Sequence, residues 1–95
     1  MFGGNSDQFD ADEVVKEIAN SVKDQVEKKL GKTFETFDAV LYKIQVVAGK
    51  NYKIKVHVGE QKFIHIKVHI PLPGKNEPNQ LLECKEGKTF FDTIR

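Results

Sequence analysis

Apolar and polar residues alternate on both sides of a single glycine. Before Gly49, Val40, Tyr42, Ile44 and Val46 recur every second residue; after it, Tyr52, Ile54, Val56 and Val58 do the same. A period of two with one apolar face predicts half-buried antiparallel strands, here over Phe34–Val47 and Asn51–Val58. The turn between them, Val47-Ala48-Gly49-Lys50-Asn51, has a glycine and an asparagine that tolerate unusual backbone angles. Its leading Val-Val-Ala is unlike the usual polar hairpin tip. It reads either as a strand end packed on the core or as an apolar knuckle held out for a partner. After the polar turn Gly59–Lys62, a third strand is expected over Phe63–Ile70, with Ile64, Ile66, Val68 and Ile70 facing the core. Pro71 to Pro78 breaks the sheet, because proline removes a ladder donor and Gly74 permits a reversal. A weaker strand over Gln80–Lys85 closes the meander. Gly87 punctuates it, and residues 86–95 form a tail containing Phe90, Phe91 and Ile94.

The N-terminal third has another period. Val14, Ile18, Val22, Val26 and Leu30 recur every fourth residue, widened by Val15 and Ala19, which predicts an amphipathic helix of about five turns. Asp10 with Glu13 has the spacing of a capping box, and Gly31 falls where a left-handed cap belongs. Lys16, Glu17, Lys23, Asp24, Glu27 and Lys28 form a solvated outer face, with oppositely charged pairs four apart. Residues 1–9 lack periodicity and read as a flexible arm. One apolar helix stripe and one apolar sheet face imply an α+β domain over residues 1–95, a long N-terminal helix packed on a twisted four- to five-stranded antiparallel sheet. The up-down order places the Gly49 hairpin and the Pro71–Pro78 turn at one edge, with Gly59–Lys62 opposite.

Bulk properties narrow the function. The 95 residues allow one small core, and 15 basic against 14 acidic residues leave no concentrated charge for nucleic acid or an anionic membrane. Cys84 has no internal partner, and the first residues lack the charged start and apolar run of a signal peptide, so a cytoplasmic, reducing location is expected.

Catalytic candidates are weak. His57, His65 and His69 fall on the polar alternate of their strands, beside Lys53, Lys55 and Lys67. His57 and His65 are placed to face one another across the Gly59–Lys62 turn, but with no convergent third ligand they read as surface residues and not as a zinc site. Glu83 and Glu86 beside Cys84 disfavour a thiolate. No metal, cofactor or phosphate loop is implied, and an enzyme using Cys84 is the least favoured class. Three apolar segments paired with glycine stand out instead: Phe2-Gly3-Gly4, Val46-Val47-Ala48-Gly49 and Leu72-Pro73-Gly74. In a row they would make a narrow hydrophobic wedge for a concave groove.

Gln45-Val46-Val47-Ala48-Gly49 resembles the Gln-Xaa-Val-Xaa-Gly signature of the cystatins, reversible inhibitors of papain-like cysteine proteases. Asn51-Tyr52, Ile54-Lys55-Val56-His57-Val58-Gly59, Leu72-Pro73-Gly74 and Gly4 are similar to the stefins, the intracellular, disulfide-free branch. The likeness runs to about residue 84; the tail lacks the acidic, aromatic-terminated ending of that branch. The resemblance implies a tight, reversible, non-covalent inhibitor of cathepsin L-, B-, H- or S-type enzymes. Phe2, Gly3, Gly4, Gln45, Val46, Val47, Ala48, Gly49, Leu72, Pro73 and Gly74 would fill the cleft. The competing class is a non-inhibitory scaffold of the same fold. A monomer is expected, with a domain-swapped dimer as its alternative assembly.

Overall fold

The structure is a computed structural model that describes residues 7–95. A five-stranded antiparallel sheet in sequential order, β1 (Phe9–Asp10), β2 (Asp38–Val47), β3 (Gly49–His57), β4 (Phe63–Ile70) and β5 (Gln80–Lys88), carries two helical segments, α1 (Glu13–Ser21) and α2 (Lys23–Leu30), on one face. The α+β reading and the edge shared by the two loops therefore hold. Val15, Ile18, Ala19, Val22 and Val26 of the helices meet Ala39, Tyr52, Ile54, Val56, Ile64, Ile66 and Val68 of the sheet in one core. Alternation explains the sheet side, since successive strand residues point to opposite faces. No helix among the described residues is long and apolar enough to cross a membrane.

The helix departs from the expected single rod. A strict four-residue stripe drifts by about 40° per step around a 3.6-residue helix, so it cannot stay on one face for five turns. Val14 accordingly swings out to 59% exposure. At Val22 the backbone leaves helical angles, its N–H reaching back three residues to Ala19 O at 3.2 Å, while the Ser21 hydroxyl donates to Ile18 O. The break keeps Val22 and Val26 buried on the sheet. The cap also differs: Asp12 Oδ1, not Asp10, accepts from Val15 N at 3.0 Å. Asp10 is taken up by β1, which pairs Phe9 with Tyr42 and Asp10 with Leu41. Glu13 thus becomes the first helical residue and the capping box does not form. Gly31 closes α2 at φ 70°, as expected.

The strand limits shift where side chains and loops compete. Phe34 and Phe37 pack together at 5.8 Å ahead of β2, with Phe34 N held by Glu27 Oε2, so β2 begins only at Asp38. β5 continues through Gly87 to Lys88, beyond the expected stop at Lys85. The tail then turns across the face opposite the helices. There the Lys55 ammonium donates to the carbonyls of Phe90 and Asp92 and lies over the Phe90 ring. Lys55 is only 1% exposed and His65, its cross-strand partner, 6%, so the polar alternate of the strands is partly covered and not a surface.

Candidate functional site

The hairpin of β2 and β3 is nearly all strand. Val47 pairs with Gly49, leaving Ala48 alone at the tip, and Gly49 takes φ 98°. Because the ladder runs so far out, Val46 and Val47 leave the core, and Val46 is 62% exposed; Gln45 is half-buried at their base. The apolar tip is a projecting knuckle, not a packed strand end.

The second loop follows β4 and lies beside the tip. Its turn closes with Lys75 N donating to Leu72 O at 3.2 Å across Pro73 and Gly74. Gly74 at φ 87° supplies the positive angle that such a turn requires after proline. Leu72 is 44% exposed. The two loops touch at Gly49: a Cβ there would collide with the Ile70 carbonyl and come within 3.3 Å of Leu72 N. Gly49 is thus needed for close approach as well as for the turn. Beneath, Asn51 Oδ1 lies 2.8 Å from His69 Nδ1. On the far side of the loop, the Asn79 amide donates to Ser21 Oγ, Gln25 donates to Asn79 O, and Leu81 N donates back to Gln25 Oε1.

The structure thus brings Gln45, Val46, Val47, Ala48, Gly49, Leu72, Pro73 and Gly74 to one edge. Phe2, Gly3 and Gly4 lie outside the described residues. The pairing of Phe9 with Tyr42 and of Asp10 with Leu41 turns the N-terminal end of β1 toward the hairpin. Sequence reasoning missed Val14, which with Ile18, Tyr52, Ile70, Leu72 and Pro73 lines an apolar trough of about 390 Å³ behind the loops. The drift of the four-residue stripe was the signal for it. The Asn51–His69 bridge was also missed, although both residues fall on the polar phase of adjacent strands.

The side chains that project from this edge are apolar. Valine, alanine, leucine and proline side chains have neither an exchangeable proton nor a nucleophile, so the surface acts by burying apolar area. Elsewhere the register pairs His57 with Phe63 and His65 with Lys55, so the two imidazoles do not face each other. His57 Nε2 lies 2.6 Å from Glu60 O. Burial, helped by the Lys55 and Lys88 charges, lowers the His65 pKa to about 4. Burial and Glu86 push the half-buried Cys84 thiol up, away from the thiolate a nucleophile needs.

A family profile described as a cystatin domain matches residues 3–90. Among curated proteins, the chain is 45% identical over 94 residues to Leukocyte cysteine proteinase inhibitor 1 of Sus scrofa, covering 99% of this chain and 91% of that protein. Cystatin-A1 of Sus scrofa is 48% identical over the same shares. Stefin-C of Bos taurus is 45% identical over 92 residues, 97% of this chain and 91% of its own.

Proposed function

Because this chain belongs to the cystatin family, in its stefin branch, and is a protease inhibitor and not an enzyme, we propose that it blocks papain-like cysteine proteases by wedging its loop edge into their active-site cleft. The observation that carries this reading is the edge itself, two apolar loops held side by side with Val46, Val47 and Leu72 exposed. Val46, Val47 and Ala48 press into the groove, and Leu72 and Pro73 cover the leaving-group side. The arm, through Phe2, Gly3 and Gly4, follows the other side. The inhibition is occlusion: no peptide carbonyl of the wedge is presented to the target's cysteine, so no acyl-enzyme forms and the inhibitor leaves intact. A preformed edge loses little conformational freedom on docking, which favours tight binding. The targets are enzymes of cathepsin L-, B-, H- or S-type. The free Cys84 fits a cytoplasmic setting.

The test is titration of papain, then of cathepsin L- and B-type enzymes, with the purified monomer. Reversible inhibition with the inhibitor recovered uncleaved is expected, together with weakening by Gly49→Trp at unchanged helix and sheet content. A folded monomer that leaves papain fully active overturns the reading and moves the function to a binding scaffold.

A further inference from the structure

β4 reaches its last ladder residue at Ile70, and the next residue, Pro71, has no N–H to continue it. Just before the second loop, a side-chain hydrogen bond joins His69 to its cross-strand partner Asn51. Asn51 is buried, and with Nδ1 protonated the imidazole donates to its Oδ1 across 2.8 Å. One residue further along, Lys50 faces Ile70, whose carbonyl occupies the space that a Gly49 side chain would need. Beyond Pro71 the loop has its own turn bond, Lys75 N to Leu72 O, and further on Asn79 is hydrogen-bonded to Ser21 and Gln25. The segment Leu72-Pro73-Gly74 lies between these hydrogen-bonded points.

We propose that Asn51 and His69 are a positioning pair that sets the second loop against the hairpin tip, and through that spacing the fit of the two loops to a protease cleft. The inference rests on the occlusion reading above and adds a role for two residues that lie beneath the loops. The hydrogen bond fixes the direction in which the chain leaves β4, and Pro71 transmits that direction because its ring leaves little torsional freedom. Without the bridge the loop samples other poses, and docking must order it. A loop that must be ordered binds less tightly, mostly through faster dissociation.

The experiment compares Asn51→Ala, His69→Ala, the double variant and Asn51→Asp, which keeps an acceptor for the imidazole. Dissociation from papain and amide hydrogen exchange are measured on each. Loss of one neutral hydrogen bond predicts about fivefold faster dissociation in either single variant. The double variant should be no faster than the singles, and Asn51→Asp should restore the original rate. Exchange at the Leu72 and Lys75 amides should quicken while Ile54 and Ile66 in the core stay protected, a split that general loosening would not give. Unchanged exchange in the loop, or effects that simply add in the double variant, would overturn the proposal. If the unaltered protein does not bind papain, the occlusion reading fails, and the exchange measurements still decide whether the pair positions the loop.

Discussion

Gly49 shows how little a single position leaves to chance. Its φ of 98° strains any L side chain, and the Ile70 carbonyl fills the place where a Cβ would go. Gly49→Ala is expected to destabilise the fold by on the order of 2 kcal/mol and to weaken papain inhibition. Urea unfolding and an inhibition titration check both effects, and an alanine variant unchanged in both would refute the steric argument. The need for glycine in the turn is legible from the alternation on either side. The approach of Ile70 is not, because it is a distance between loops brought together only by folding. His65 teaches the same lesson. Period two tells which face a residue takes, but not that Lys55 draws the tail's Phe90 and Asp92 carbonyls across that face. The folded His65 protonates near pH 4, whereas the unfolded residue does so at its ordinary value of 6.5. Its contribution to stability is therefore complete above pH 6.5 and is lost progressively as pH falls toward 4. Urea midpoints measured between pH 7.5 and 4 should fall accordingly. A His65→Phe variant should lack that part of the decline; the same slope in both proteins would place the acid sensitivity elsewhere.

At the scale of elements, the strands were the most legible part. Phe63–Ile70 has the expected limits, since its alternation is uninterrupted and turns bound both ends. The helix was legible in its existence and in its Gly31 stop, but not in its start or its break. A carboxylate at position 10 and one at position 12 are equally good caps by type. What decides is the pairing of Asp10 with Leu41 and of Ala11 N with Val40 O, which extends the sheet and leaves Asp12 to begin the helix. Asp12→Ala should therefore cost about 1 kcal/mol, the usual worth of an N-cap. Asp10→Ala, at an exposed sheet edge, should cost well under half of that. Thermal or urea unfolding of the two variants separates them, and the reverse order would return the cap to Asp10. The presence of an apolar tail after β5 was readable, but neither its start, since β5 runs on to Lys88, nor its docking was. Phe90 and Phe91 advertise an apolar segment, yet the buried anchor proves to be Ile94 together with a lysine from the middle of the sheet.

For the whole molecule, the same hairpin that forms the first loop joins two halves of the chain. β1, the helices and β2 lie on one side of Ala48, and β3 to β5 on the other. Only Ala48 is unpaired between strands that are both rich in β-branched or alternating residues. If the hairpin opens, Gln45 to Asn51 can run on as one strand, and the helix of one chain can cover the sheet of another with every core contact restored. Such an exchange gains nothing in the core, so it is governed by concentration and by the slow unfolding needed to separate the halves. It also removes the first loop as a projecting tip. We expect warm, concentrated protein to yield a dimer that no longer inhibits papain while its monomer does, and dilution after brief unfolding to restore both monomer and inhibition. Size exclusion coupled to the papain assay tests this. A dimer that inhibits as fully per chain as the monomer would mean that the hairpin stays closed, and that self-association uses another surface.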